Sequence, residues 1–215
     1  MKEALLEFLA CPLCQGSLSL EVFEKDGPEV IFGKLICHSC GKEYFIRGAI
    51  PRMLGEVSDE KVKTAEGFSY EWKSFTTLTD KYKEQFLDWL YPLREDFFGG
   101  KIVLDAGCGK GRHAYWSAKF GAKIVIGVDL GETVEVAYEN TKKFSNVHII
   151  QADIYQLPFK KEIFDYIYSI GVLHHLPDPE IGFNNLVNYI KPAGAISAWV
   201  YGREGNDWII YFLNP

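Results

Sequence analysis

The sequence predicts an α/β protein in which a small cysteine-rich domain precedes an open, doubly wound and mostly parallel sheet. Residues 100–215 alternate short apolar runs with amphipathic stretches, which is typical of β-α-β units and a parallel sheet. Residues 1–55 hold four of the five cysteines in two close pairs, among short alternating apolar runs. Between these segments, residues 56–99 place aromatic and charged side chains at helical spacing, so we predict a helical linker or cap there.

Five apolar runs in the last segment are candidate strands, at 102–104, 124–126, 147–150, 166–168 and 195–200. Helices are predicted between them. One should end near Gly121, a plausible C-terminal cap, and one should begin at Asp178, whose carboxylate can cap a helix with Pro179 at its first position. The last helix is expected to bury a stripe of Phe183, Leu186, Val187 and Ile190.

Composition limits the class of protein. Hydrophobic residues make up 47% and charged residues 24%, as in ordinary globular domains. No apolar run approaches the ~20 residues that span a bilayer, and the N-terminal residues lack the order of a secretory signal. A net charge of −6 gives no general attraction to nucleic acid. We therefore expect a cytoplasmic protein with no membrane partner.

The cysteines form two CxxC units, CPLC at 11–14 and CHSC at 37–40, separated by 22 residues. Each unit puts two thiolates on one tight turn, and two such turns complete a tetrahedral zinc shell. The alternatives are incidental reduced thiols or a redox CxxC. Four sulfurs leave no open position, so a zinc held by Cys11, Cys14, Cys37 and Cys40 should be structural. Residues 11–54 resemble the zinc-ribbon activator subunit of several eukaryotic and archaeal methyltransferases.

A glycine-rich loop, LDAGCGKG at 104–111, follows one strand and opens a helix. The stretch from Gly109 to Ala114 also matches the dinucleotide pattern GxGxxA, so two cofactors compete for this loop. The carboxylate of Asp105 would repel a pyrophosphate, whereas S-adenosylmethionine carries an ammonium and a sulfonium and no phosphate. The residues therefore favour S-adenosylmethionine.

Residues 101–201 resemble class I methyltransferases, including the quinone-biosynthesis branch, whose Rossmann-like sheet carries the motif D/E-x-G-x-G-x-G found here at 105–111. The resemblance implies that Asp129 binds the ribose hydroxyls, that Asp153 meets the adenine amino group, and that residues 169–175 lie beside the methionine moiety and acceptor. It implies a cofactor site formed by Asp105, Ala106, Gly107, Cys108, Gly109, Gly111, Asp129, Leu130, Asp153, Ile154 and Ser169. Each acidic residue taken alone is more often a helix cap.

Other polar residues near this loop have open roles. His174 and His175 are candidate catalytic bases, although a packing role is the stronger interpretation. Cys108 is interpreted as a small loop residue, and Lys110 and Arg112 as solvated side chains. The aromatic residues within 68–72 could fold over the cofactor or belong to a core helix.

These patterns predict an S-adenosylmethionine-dependent methyltransferase. The fourth strand ends in SIGVL and not in the Asn/Asp-Pro-Pro-aromatic motif of enzymes that methylate planar amines, and the net charge is acidic. We therefore expect a small-molecule acceptor in preference to RNA. The alternatives are an RNA methyltransferase whose ribbon binds the substrate, and a non-catalytic S-adenosylmethionine-binding protein.

The end of the chain suggests an incomplete domain. Methyltransferases of this class have seven strands, whereas only five candidates are found here, and the apolar run at 208–213 has no polar face. Truncation after the fifth strand would leave an unpaired sheet edge. We therefore expect a longer natural protein, or self-association or a partner chain at that edge.

Overall fold

The computed structural model describes residues 1–55, the single positions 61, 65, 67 and 69, and residues 75–202 of the 215-residue chain. Its first sheet is antiparallel, in the order β1-β2-β3-β4, with strands Leu18–Asp26, Glu29–Cys37, Glu43–Arg47 and Ile50–Pro51. The second is parallel, in the order β7-β6-β5-β8-β9, with β5 to β9 at Ile102–Ala106, Ile124–Asp129, Val147–Gln151, Phe164–Ile170 and Ile190–Trp199. The predicted fold class is confirmed. The apolar run at 208–213 lies outside the described residues.

Within the ranges 1–55 and 75–202, four α-helices connect or flank these strands, α1 to α4 at Lys81–Trp89, Arg112–Lys119, Val134–Thr141 and Pro179–Val187. Short 3₁₀ turns lie at Glu3–Glu7, Glu95–Phe98 and Leu173–His175. The Asp178 carboxylate caps α4 by accepting a hydrogen bond from the Ile181 amide at 2.9 Å. Among the described residues, each helix is too short or too polar to span a bilayer.

The predicted buried stripe of α4 is wrong at its end. The helix stops at Val187, whose side chain is exposed, and Ile190 is already the first residue of β9. Ile190 pairs with Phe164 of β8, so the backbone is drawn into the parallel ladder before another helical turn can form.

The ribbon, defined here as residues 1–55, packs against the parallel sheet. Leu5, Leu9 and Leu35 of the ribbon share one buried cluster with Ile150 and Phe159 of the sheet domain. Where the ribbon ends, it runs alongside the outer strand β7, and the Met53 amide donates to the Gln151 carbonyl at 2.8 Å. The two parts of the chain therefore share a hydrophobic core. The domain limits at residues 55 and 99 stay a prediction.

Arg52 joins the ribbon to the sheet through its guanidinium. Nη1 donates to Oε1 of Gln151 at 3.1 Å, and Nη2 donates to the Glu135 carboxylate at 3.0 Å. The Gln151 amide in turn donates to the carbonyl of Leu130 at 2.9 Å, at the end of β6. One ribbon side chain is thus linked by hydrogen bonds to the loop that follows β6.

We expect Arg52→Met to lower the free energy of unfolding by about 1–2 kcal/mol, because it removes hydrogen bonds to a carboxylate and to a half-buried amide. Urea denaturation measures the change. Lys34→Met is the matched control, since Lys34 bridges only ribbon carboxylates and should change the midpoint far less. Equal shifts of the urea midpoint in the two variants would show that Arg52 does not couple the ribbon to the sheet domain.

Candidate functional site

A cavity of about 390 Å³ opens at the carboxyl ends of the parallel strands. The predicted site residues that line it are Gly107, Cys108, Gly109, Asp129, Leu130, Asp153, Ile154 and His175. Five other predicted site residues do not line it, namely Asp105, Ala106, Gly111, Ser169 and His174. Ligands of open α/β sheets bind at this edge, so the cavity is the candidate cofactor site.

The glycine loop forms the floor of the cavity. The amides of Gly107 and Cys108 both donate to the carbonyl of Val128 in β6, at 2.9 and 2.8 Å. Gly107 has a φ of +87°, and a Cβ there would lie 2.4 Å from the side chain of Val172. Only glycine satisfies both constraints, which leaves bare backbone facing the cavity.

Asp129 ends β6 and holds the loop in place. One carboxylate oxygen accepts from the Gly109 amide at 2.8 Å, and the other accepts from the Gly131 amide at 2.9 Å. Burial raises the pKa of Asp129, while these two amides act in the opposite direction. Each oxygen retains a lone pair, so the side chain can still accept hydrogen bonds from a diol.

Asp153 follows β7 and is paired with a lysine that the sequence patterns did not reveal. The ammonium of Lys61 lies 2.7 Å from the Asp153 carboxylate and 4.0 Å from the centre of the Tyr155 ring. Lys61 also lines the cavity. The carboxylate predicted to meet an adenine therefore carries a cationic neighbour from the segment before α1.

Asp105 is fully buried at the end of β5, and neither carboxylate oxygen has a hydrogen-bond partner in the described part of the chain. Burial raises the pKa of Asp105 to about 7, and the nearby charge of Asp129 adds to the increase. Perturbed carboxyls of this kind are concentrated at functional sites.

Lys110 is buried and Arg112 is half-buried, whereas both were expected to be solvated. Lys110 is 2% exposed, and its ammonium donates to the carbonyl of Phe75 at 2.7 Å and to the hydroxyl of Tyr82 at 3.0 Å. The Arg112 guanidinium lies over the rings of Tyr82 and Trp89, at 5.2 and 5.3 Å. The two cations fasten the segment before α1, and α1 itself, to the glycine loop. Within 68–72 only Ser69 is described, and it is buried; the aromatic residues there lie outside the described residues.

The two histidines differ in position. His175 lines the cavity, whereas both ring nitrogens of His174 are buried without a hydrogen-bond partner in the described part of the chain. Burial lowers the pKa of each imidazole, so both are neutral at pH 7 and could accept a proton. Their role as bases stays a prediction.

The paired cysteines converge at one end of the ribbon. All four sulfurs lie within 4.8 Å of one another, with Cys11 and Cys40 at 3.8 Å and Cys14 and Cys37 at 3.4 Å. Tetrahedral coordination at the usual Zn–S length of about 2.3 Å places sulfurs about 3.8 Å apart. The Tyr44 hydroxyl lies 3.2 Å from the Cys11 sulfur and supports the cluster from its buried side. The donor set fits one tetrahedral metal ion.

Two basic side chains of the ribbon are held in ion pairs. Lys34 is bridged to Glu21 and Glu43 at 3.2 and 2.9 Å, and Arg52 is bridged to Glu135 at 3.0 Å. These two cations are therefore already neutralised and contribute little to any attraction of the ribbon for phosphate groups.

Two family models match the chain. Residues 2–48 match the model described as Trm112p-like protein, and residues 104–198 match the model described as methyltransferase domain. Both resemblances noted in the sequence are thus confirmed.

Among curated proteins, the chain is 32% identical over 110 residues to the tRNA U34 carboxymethyltransferase of Pseudoalteromonas atlantica, covering 50% of this chain and 34% of that protein. It is 30% identical over 140 residues to the enzyme of that name from Pseudoalteromonas translucida, covering 64% and 40%. The chain spans about a third to two-fifths of the length of these relatives.

Solved structures show the same fold. A structure described as a methyltransferase from Bacillus halodurans superposes with a TM-score of 0.51 at 27% identity, covering 60% of this chain and 55% of that one. A second, from Methanococcus maripaludis, gives a TM-score of 0.53 at 17% identity, covering 74% and 76%, which is a likeness of fold alone.

Proposed function

Because the chain joins a Trm112p-like domain to a class I S-adenosylmethionine-dependent methyltransferase domain, we propose that it transfers a methyl or substituted methyl group to RNA. The observation that carries this proposal is the similarity to tRNA U34 carboxymethyltransferases, at 32% identity over 110 residues and 30% over 140 residues. The acceptor is accordingly proposed to be a tRNA nucleotide.

The expectation of a small-molecule acceptor is wrong. It relied on the acidic net charge and on the missing amine-methylation motif, and the relatives named as tRNA-modifying enzymes overturn it. The net charge misled this prediction because it is summed over the whole protein and does not give the electrostatic potential at the mouth of one cavity. The missing motif excludes only one class of acceptor atom, and a nucleobase offers several others.

The cofactor is proposed to lie along the carboxyl edge of β5, β6 and β7. Gly107 and Gly109 would face it with bare backbone, Asp129 would bind its ribose hydroxyls, and Asp153 would bind its adenine amino group. When bound, it supplies an electrophilic carbon on a sulfonium. The chain's own residues supply position and exclude water, since the cavity is walled by the segment before α1 and by the loop after β8. His175 is the proposed proton acceptor at the cavity wall.

We propose that the four cysteines hold one structural zinc ion, because a tetrathiolate of this geometry prefers zinc and leaves no open position. The ribbon would then act as a folded support for the sheet. A cytoplasmic location stays a prediction.

Incubation of the full chain with methyl-labelled S-adenosylmethionine and a cell extract, followed by fractionation, should place label in tRNA. Mass spectrometry of its nucleosides then identifies the transferred group. Asp129→Asn is expected to weaken cofactor binding by about 1.5–3 kcal/mol, or about 10- to 150-fold in Kd by calorimetry, because it removes the negative charge and one of the two acceptor oxygens. Label found only in small molecules or protein would contradict the RNA proposal. Cofactor binding with no transfer at all would indicate a non-catalytic binding protein.

A further inference from the structure

We infer that an aromatic surface at the far end of the cavity, formed by Trp89, Trp199 and Tyr201, is the subsite on which the target nucleobase stacks. This inference rests on the proposed function, because it assumes that the acceptor is a nucleotide of RNA. It adds the part of the site that would hold the base.

The three rings are adjacent and all line the cavity. Trp89 ends α1 and Trp199 ends β9, and their ring centres lie 4.6 Å apart at an interplanar angle of 30°. Tyr201 lies beyond β9, with its ring 4.9 Å from that of Trp199 at 72°, and it is 65% exposed. An aromatic surface therefore extends from the inside of the cavity to its mouth.

The side chains that line the cavity change from acidic to aromatic between the two edges of the sheet. Asp129 ends β6 and Asp153 follows β7, whereas the rings lie beside β9, at the opposite edge. The Arg112 guanidinium lines the cavity and lies 5.3 Å from the centre of the Trp89 ring. An acidic half suits the ribose and amine of the cofactor. An aromatic half with a guanidinium suits a planar base that carries a phosphate.

His174 adds a polar group next to this surface. Its ring lies edge-on to Tyr201 at 4.9 Å, and its two buried nitrogens have no hydrogen-bond partner among the described residues. His174 does not itself line the cavity, so its part would be to hold the Tyr201 ring in position for stacking. Stacking combined with edge recognition is how enzymes that modify bases hold an extruded nucleotide.

Substitution of Tyr201 tests the inference with little risk to folding, because the side chain is mostly exposed. Tyr201→Ala should raise the KM for tRNA by about 5- to 100-fold, the usual effect of losing one stacked base. The Kd for S-adenosylhomocysteine, measured by calorimetry, should stay within about twofold. Tyr201→Phe keeps the ring and should restore most of the affinity for tRNA. Phe23→Ala is the matched control, since Phe23 is an exposed aromatic residue on the ribbon and outside the cavity.

Two results would overturn the inference while leaving the proposed function intact. One is an unchanged KM for tRNA in Tyr201→Ala. The other is a loss of affinity for S-adenosylhomocysteine as large as that for tRNA, which would assign the rings to the sulfonium end of the cofactor. If the wild-type chain labels no RNA, the proposed function fails by itself. Quenching of tryptophan fluorescence by oligo(U) then decides the subsite: loss of quenching in Tyr201→Ala supports it, and no quenching of the wild type overturns it.

Discussion

Cys37→Ser combined with Cys40→Ser is expected to release the bound zinc and to unfold the ribbon. Serine has nearly the same volume as cysteine but is a poor zinc ligand, so the two remaining thiolates cannot hold the ion. Structural zinc sites contribute about 10–16 kcal/mol of apparent binding energy in small domains, which exceeds what a 55-residue ribbon core can replace. Elemental analysis should show loss of about one zinc per chain, and near-ultraviolet circular dichroism should show loss of tertiary structure.

The effect should extend beyond the ribbon, because Leu5, Leu9 and Leu35 share a buried cluster with Ile150 of β7. We therefore expect a lower thermal midpoint for the whole chain. Cys108→Ser is the control, since that thiol lies in the glycine loop and is no part of the cysteine cluster. It should retain full zinc content. Full zinc content in the double variant would rule out the tetrathiolate site.

The features that were predicted correctly are those that depend on the pattern of residues close together in the sequence. The apolar runs became β5 to β9, the capping signal at Asp178 began a helix, and the CxxC pairs converged. Each depends on residues close together in the chain, where periodicity and turn chemistry act directly. The glycine loop was also found, because its positive φ values require glycine at fixed positions.

The features that it missed depend on contacts across the chain. Lys61 meets Asp153 from 92 positions away, and Lys110 reaches back 35 positions to the carbonyl of Phe75. A charged side chain is expected to be exposed to solvent unless a distant partner is known. The neighbouring residues in the chain do not show which distant residue that partner is. Trp199 belongs to the run at 195–200 that was predicted as a strand, and only the sheet order places Trp199 and Tyr201 at the cavity mouth beside Trp89.

Asp105→Asn is expected to stabilise the chain without cofactor at pH 8 and to weaken cofactor binding. The pKa of Asp105 is raised from 3.8 to about 7 by burial. Between these values the folded state binds a proton that the unfolded state has lost, so the free energy of unfolding falls as the pH rises from about 4 to 7. Asparagine stays neutral and removes this loss, which amounts to up to about 4 kcal/mol at 1.36 kcal/mol per pH unit.

Urea denaturation of wild type and variant at pH 5 and pH 8 measures the effect. Asp165→Asn is the control with the opposite expected effect on stability, because hydrogen bonds from the Ile102 amide and from Lys191 hold the pKa of Asp165 below its usual value. Its carboxylate contributes stability that is present above pH 4 and lost as the pH falls, so that variant should be less stable at both pH values. An Asp105→Asn variant that keeps the wild-type slope between pH 5 and 8 would show that the carboxyl is ionised throughout. The carboxyl that costs this stability lies at the end of β5, next to the glycine loop that forms the floor of the proposed cofactor site, so we expect its charge to favour the cationic cofactor.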